Sequence, residues 1–386
     1  MKKDNDFYWY WFVNIPRIGQ RTKKKLLEAF FHPVHIFQAD EHMLRDFLDR
    51  KQMTYFLSSR NTNDIEISME RLRQSSVRFI HWESEDYPDR LRRIFDPPYG
   101  FYLRGKLPEE KKPALGMIGS RKATTYGRKM AAWFAKELSE KGVQIISGLA
   151  SGIDTASHRG ALWGGGYTAG ILGGGIDTIY PRENFNLYME MYQKGGVLSE
   201  YNLGIPNHPG LFPLRNRLIS GLSDAVFVLE AGERSGTFIT VDQALEQGKE
   251  VFALPGRVTD VLSAGCNRLV SEGAIPVFHP EDVLELLFSA NAGRQQVNHT
   301  LSKAKKRIDS GKEPLDLKQK KVYQLLDEKE PVSVDMLVEQ CEYTVPELSH
   351  ILYELEINGL VFQPNQNVYL KKPDFFLAQK NEMVYD

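Results

Sequence analysis

Four short segments concentrate the residues of this 386-residue chain that could do chemistry. They read Gly119-Ser-Arg-Lys-Ala-Thr-Thr-Tyr-Gly127, Ser147-Gly-Leu-Ala-Ser-Gly-Ile-Asp154, Gly173-Gly-Gly-Ile-Asp-Thr-Ile-Tyr-Pro181-Arg182 and Glu230-Ala-Gly-Glu-Arg-Ser-Gly-Thr237. Glycine lets a backbone approach an anion closely, and N–H groups at helix starts, assisted by serine and threonine hydroxyls, cradle phosphate. Cations stand beside these loops: Arg121, Arg182, and the pair Arg215 and Arg217 in Phe212-Pro-Leu-Arg-Asn-Arg217. Repeated arginines at glycine loops favour an anionic ligand longer than one phosphate. No loop matches G-x-G-x-x-G or the Gly-Lys-Ser/Thr ending of a P-loop, so a dinucleotide dehydrogenase or NTPase is unsupported.

Other reactive side chains point away from catalysis. Asp154 and His158 lie four apart on one helix face, the spacing of a metal pair or an acid–base couple. With no third ligand nearby, they read as structural, Asp154 near the helix start and His158 hydrogen-bonded. Cys266 has little support as a nucleophile, and Asn267 reads as a turn residue. The two cysteines, Cys266 and Cys341, make neither a metal cluster nor a disulfide framework. The sequence thus predicts no catalytic residue, no metal and no cofactor.

The elements that position the loops follow from pattern. Strand candidates are Leu115–Ile118, Val143–Ile146, Thr168–Leu172, Val197–Ser199, Ala225–Leu229 and Val251–Ala253. Helical stretches fall between them, at Lys129–Glu140, Asp154–Leu162, Phe185–Gln193, Leu214–Gly221 and Thr237–Glu246. This alternation predicts an α/β fold, an extended Rossmann-like, doubly wound and mostly parallel sheet. Ligands of such sheets bind at the carboxyl ends of the strands, where the four loops lie.

Of 31 glycines, 26 lie between Gly105 and Gly273, which separates this middle from helix-patterned ends. The expected organisation is a helical domain over 1–75, the Rossmann-like domain over 76–290, a linker over 291–314, a winged helix over 315–371 and a tail over 372–386. Near the start, Ile15-Pro-Arg-Ile-Gly19-Gln-Arg-Thr-Lys-Lys-Lys25 looks like a helix–hairpin–helix, with Arg17 where the first glycine is usual. The plainer reading is a packing domain with Lys23–Lys25 as a solvated face. In the C-terminal module three helices precede a two-stranded wing, and the third holds Glu347, Glu354 and Glu356 with no Lys or Arg. Phosphate would repel that helix, so the module is expected to meet protein.

Net charge is −1, from 49 basic and 50 acidic side chains, which excludes a massed polybasic binder. The total hides contrast: residues 1–105 carry +3, 289–332 carry +4 and 333–370 carry −6. No signal peptide is visible, since the apolar stretch at the start is short and lacks a small-residue cleavage site. The longest uncharged run, Gly160–Ile176, holds eight glycines and suits loops and a short strand rather than a membrane helix. A reduced, cytoplasmic protein is expected.

Taken in order, Gly119-Ser-Arg, Ser147-Gly-Leu-Ala-Ser-Gly-Ile-Asp154, Tyr180-Pro181, Ser199-Glu200, Phe212-Pro-Leu-Arg-Asn-Arg217, Ser235-Gly-Thr and Pro255-Gly256 closely resemble the DprA/Smf family of DNA-processing proteins. The resemblance covers about residues 10–290, and the winged-helix end fits the family too. It implies a homodimeric, non-catalytic protein of natural transformation that binds single-stranded DNA without strong sequence preference. It also implies that the protein loads the RecA recombinase and displaces single-strand-binding protein. Carried over by motif, Gly119, Ser120 and Arg121, with Arg182, would meet phosphate. Ser147, Gly148 and Gly152 would form the cradle, and Arg215, Asn216, Arg217, Ser235 and Gly236 would support or extend it. This sequence departs from the family at Ser157, Cys266 and Arg17, the last putting only the hairpin's role in doubt.

Two other readings compete. Nucleotide phosphoribohydrolases of the same superfamily carry Pro-Gly-Gly-x-Gly-Thr-x-x-Glu, whose glutamate is catalytic. Here Thr240 stands in that place and cannot supply a carboxylate. A nucleotide-sensing module would use the same loops but needs a compact pocket rather than a continuous groove.

Overall fold

The computed structural model describes residues 4–288, 317–327, 332–341, 343–357, 360–365 and 368–371. The expected linker over 291–314 and tail over 372–386 lie outside the described residues. The chain divides into two compact units, Met1–Gln295 and Gln296–Asp386.

The first unit begins with six helices: α1 (Asn5–Asn14), α2 (Gln20–Phe30), α3 (Pro33–Gln38), α4 (Glu41–Leu44), α5 (Arg50–Ser58) and α6 (Thr62–Gln74). Helix α1 is apolar on nearly every side because it is the centre of this bundle. Trp11 packs edge-on against Phe37 and Phe56, while the Tyr10 hydroxyl shares a hydrogen bond with Ser68 Oγ at 2.7 Å and accepts one from the Asn202 amide. Side chains close the helix starts: Asp4 accepts from the Phe7 N–H, and Asp49 and Gln52 form a capping box. In the hairpin between α1 and α2, Arg17 itself takes φ +63°, the left-handed conformation that glycine adopts without strain. The Lys23–Lys25 run is not a uniform solvated face. Lys23 shares the buried side of α2 with Leu26, donates from Nζ to the Val13 carbonyl at 2.5 Å, and is lowered by burial to about 8.

A nine-stranded sheet follows, from β1 (Arg78–His81), β2 (Gly100–Gly105), β3 (Ala114–Ile118), β4 (Gln144–Ser147), β5 (Thr168–Ile171), β6 (Gly196–Ser199), β7 (Ala225–Val228), β8 (Glu250–Ala253) and β9 (Ile275–Pro276). Its order is β1-β2-β6-β5-β4-β3-β7-β8-β9. Strands β3 to β9 are mutually parallel, and β2 and β1 extend the sheet antiparallel beyond β6. Helices α7 (Asp89–Arg92), α8 (Thr125–Glu140), α9 (Ile153–Trp163), α10 (Phe185–Lys194), α11 (Leu211–Leu222), α12 (Thr237–Glu246), α13 (Ala264–Ser271) and α14 over 280–288 accompany them. One face of the sheet is covered by α7, α11, α12 and α13, and another core forms beneath α8, α9 and α14. Covered on both faces, the central strands read as short, uninterrupted apolar runs. The doubly wound, mostly parallel fold is therefore present, with residues flanking each strand turned into loops by their glycines.

Chain reversal at β3 sets the site. From this strand the chain adds β4, β5 and β6 on one side, then returns to lay β7, β8 and β9 on the other. The loops after β3 and β7 consequently part at a switch point and leave a crevice.

Two smaller expectations change. Asn267 is within α13 rather than a turn, because its amide holds the distant Gly256 backbone at both N–H (3.1 Å) and C=O (3.0 Å). In the second unit, α15 (Leu317–Leu325), β10 (Val332–Ser333), α16 (Val334–Gln340), α17 (Val345–Ile357), β11 (Val361–Asn365) and β12 (Val368–Lys371) form a winged helix. The wing gains a third strand, β10, paired with β12. Its core includes Val322, Leu337, Leu348, Leu352, Leu355 and Val361. Helix α17 leaves Glu347, Tyr353 and Glu356 exposed. Among the described residues no helix is long and apolar enough to cross a membrane.

Candidate functional site

A cleft of about 1090 Å³ opens at the switch point, lined from the loops after β3 and β7, the start of α11 and the segment 258–262. Its lining is mixed in chemistry. Gly119, Ser120, Arg121, Lys122, Arg234, Ser235 and Gly236 line it together with the acidic Glu233 and Asp260, and Val258 and Val261 add apolar side chains that are almost wholly exposed.

Backbone contacts shape the floor. The Ser120 N–H donates to the Glu230 carbonyl at 2.7 Å, tying the β3 and β7 loops, and the Ile153 N–H donates to the Ser120 carbonyl at 3.2 Å. Gly152 makes the second tie possible. Its φ is +83°, and a Cβ there would lie 2.2 Å from the Ser120 carbonyl oxygen. Gly152 therefore serves by letting two loops touch.

Arg121 is exposed and rests its guanidinium over the Phe212 ring at 4.8 Å. A cation held on an aromatic face by its quadrupole, yet open to solvent, retains its donors for an incoming phosphate. Lys122 beside it is also exposed, its N–H spent on Ser120 Oγ at 3.1 Å. Ser235 and Gly236 lead into α12, which has no side-chain cap; Ser235 Oγ donates to Thr237 Oγ1 at 2.8 Å and accepts the Thr237 N–H at 3.2 Å. Arg182 is exposed on the short 3₁₀ turn after Tyr180-Pro181, next to the cleft wall but outside its lining. Buried Asn184 anchors that turn, donating to the Leu149 carbonyl at 2.9 Å and to Thr155 Oγ1 at 2.8 Å.

Ser147, Gly148 and Arg215 face inward. Ser147 is fully buried, and its Oγ donates to the Met117 carbonyl at 2.6 Å. The Gly148 N–H donates to Asp154 Oδ2 at 3.2 Å, as does that of Ala150 at 3.3 Å. Asp154 thereby occupies the amides of its own loop; burial raises its carboxyl, opposed by the Arg215 charge. Arg215 is buried, donates to the carbonyls of Gly148 and Ile171, and is lowered by desolvation to about 10. Asn216 lines the cleft while accepting from Arg215 Nε at 3.2 Å. Arg217 is turned out of the cleft, its fork bound to both oxygens of Glu200 at 2.6 and 2.7 Å and to Asp96 at 3.4 Å.

The start of α8 is occupied in the same way. Buried Glu230 accepts the Thr124 N–H at 2.8 Å and the Thr124 hydroxyl, and Gly127 leaves room for the carboxyl group. The start of α8 is thus filled by an internal carboxylate, whereas the starts of α11 and α12 line the cleft without a side-chain cap. His158 is buried with Nδ1 on Thr168 Oγ1 at 2.7 Å, lowered by burial to about 3, and Cys266 is buried with its thiol raised to about 12. Neither faces the cleft as a base or a nucleophile. Thr240 does line it, buried and without a carboxylate. Sequence reasoning passed over Lys122 and Arg234, although each adjoins a residue it named. It could not see Tyr180 and Phe212 as neighbours, since their juxtaposition depends on the sheet.

Fold and site together define a Rossmann-like domain, with a cleft at its switch point that carries exposed Arg121, Lys122 and Arg234 beside Glu233 and Asp260, followed by a winged helix. Residues 78–288 match the model of DNA recombination-mediator protein A, and residues 309–364 match the DprA winged helix domain. The chain belongs to the DprA/Smf family. It is 37% identical over 318 residues to Protein Smf of Escherichia coli (81% of this chain, 82% of that one). It is 40% identical over 220 residues to the DNA processing protein DprA of Bacillus subtilis (57% and 74%). Its fold is similar to DNA processing protein A of Streptococcus pneumoniae, with TM-score 0.63 at 33% identity over 74% of this chain and 98% of that one. It is also similar to DNA processing protein A of Helicobacter pylori, in a structure describing that protein's single-stranded DNA binding mode (TM-score 0.50, 29% identity, 55% and 96%).

Proposed function

We propose that this protein is a non-catalytic binder of single-stranded DNA, holding the strand in the switch-point cleft for homologous recombination during natural transformation. The observation that carries this reading is Arg121, exposed at the cleft and held on Phe212, with exposed Lys122 and Arg234 also lining the cleft. Such a site favours a flexible polyanion contacted by placed cations over a mononucleotide seated on backbone amides. Single-stranded DNA binding by the Helicobacter pylori relative supports it. In this reading Arg121 and Arg182 meet phosphate, Ser120, Ser235 and Gly236 extend the contact, and Ser147, Gly148, Gly152, Arg215, Asn216 and Arg217 hold the loops in place. The protein acts as a cytoplasmic homodimer, displaces single-strand-binding protein and delivers the strand to the RecA recombinase, with the acidic winged helix turned to a protein partner.

The alternative, a nucleotide-binding or phosphoribohydrolase-like enzyme, is disfavoured by Thr240 and by the Glu230 carboxylate at the start of α8. The test is a gel-shift titration with single- and double-stranded oligonucleotides at two salt concentrations, using the wild type, Arg121→Glu and Arg182→Glu. Preferential, salt-sensitive binding of single strands that the variants weaken supports the reading. Equal binding by all three proteins removes the site assignment.

A further inference from the structure

Resting on that DNA-binding reading, we infer that Tyr180 is the side chain on which a base of the bound strand stacks, with Phe212 as the residue that positions Arg121. The Tyr180 ring lies 5.9 Å from that of Phe212 at 39°, and Phe212 carries the Arg121 guanidinium at 4.8 Å. Phe212 thus adjoins both the Arg121 guanidinium and the Tyr180 ring. Phe212 is half-buried, crowded by Arg121 and with the Arg215 guanidinium 6.0 Å away. Tyr180 is 49% exposed and lines the cleft, so it is the ring with surface left to offer.

Exposure alone would not select it. Phe31, Phe95, Trp163, Tyr126 and Phe185 are more exposed, and Phe185 is three residues from Arg182, but none lines the cleft. A stacking platform must stand where the phosphates of the same strand meet cations, because base and phosphate are joined through one sugar. Tyr180 meets that condition, with Arg121 on the Phe212 ring that Tyr180 adjoins and exposed Arg182 two residues along the chain. In the same cleft, Val258 and Val261 are 92% and 79% exposed. An apolar wall of this kind suits a ligand with bases, and a bare anion would gain nothing from it.

The assignment separates base contact from phosphate contact, so an oligonucleotide without bases tests it. Fluorescence anisotropy on the full chain would compare a thymidine 20-mer with an abasic 20-mer of the same backbone, for wild type, Tyr180→Phe and Tyr180→Ala. The wild type should prefer the thymidine strand by roughly tenfold, the size expected for one stacked base. Tyr180→Phe keeps that ratio, and Tyr180→Ala brings it near one by weakening the thymidine strand alone. Because both strands are measured on one protein sample, the ratio is independent of the folded fraction. A wild-type ratio retained in Tyr180→Ala overturns the assignment. So does equal binding of both strands by the wild type, which leaves DNA binding at the cleft standing. Binding of neither strand by the wild type overturns the DNA reading and the stacking assignment together.

Discussion

The Glu230 carboxylate takes both the backbone N–H and the hydroxyl of Thr124, and so closes the start of α8 from within. In a Rossmann-like nucleotide site that start would meet phosphate. Here a phosphate would have to displace a buried carboxylate and face its charge. Nucleoside monophosphates at millimolar concentration should therefore leave the thermal unfolding midpoint unchanged and suffer no hydrolysis. A ligand-dependent rise in Tm, which mass action requires of any folded-state ligand, would restore the nucleotide-pocket alternative.

Arg217 and Glu200 form a bidentate pair whose side chains are 11% and 10% exposed. The pairing drives the Arg217 pKa up despite burial. Removing one partner strands the other charge, at a cost of about 3 kcal/mol. Arg217→Met should show that loss in urea unfolding, while the folded protein keeps its affinity for single-stranded DNA. A selective loss of affinity at unchanged stability would put Arg217 on the DNA after all.

His158 gives the fold an acid-side weakness. Its imidazole stands near 6.5 unfolded and is lowered by burial to about 3 in the folded chain. Between those values only the unfolded chain takes up the proton, so stability is full above pH 6.5 and declines as pH falls. The loss amounts to about 2 kcal/mol from pH 6.5 to 5. Glu83, lowered to about 2 chiefly by the His32, Asn5 and Trp9 hydrogen bonds that outweigh its desolvation, adds to the decline only below its ordinary value of 4.5. Urea unfolding at pH 6.5 and 5 checks this: the difference should shrink in His158→Gln, and an unchanged difference would assign it elsewhere.

Much of this architecture was legible because buried parallel strands are continuous apolar runs punctuated by glycine. The runs at Leu115, Val143, Thr168, Val197, Ala225 and Val251 all lie at or beside strands of the sheet. Strands β1 and β2 were not legible. Gly100–Gly105 becomes a strand by pairing with β6, over ninety residues away, a partner no local pattern announces. The site was legible as a set of loops but not as a set of directions. Arg215, Asn216 and Arg217 are consecutive on a helix, so each turns about 100° from the last. One is drawn under the loops, one lines the cleft and one is drawn out to Glu200. Ser147 looked available for phosphate because its loop is rich in hydroxyls, yet its position at the end of a central strand gives its hydroxyl to Met117.

The central claim is that a few placed cations, Arg121 first among them, hold single-stranded DNA at the cleft. Its most direct measurement is the affinity of wild type and Arg121→Glu for matched single- and double-stranded oligonucleotides at two salt concentrations. Single strands should bind more tightly, with affinity falling as salt rises. Arg121→Glu should lose about 2 kcal/mol or more of that affinity through charge reversal at the cleft, with little change in stability because the side chain is exposed. Equal affinity for the two strand types, or an Arg121→Glu variant that binds like wild type, would contradict it.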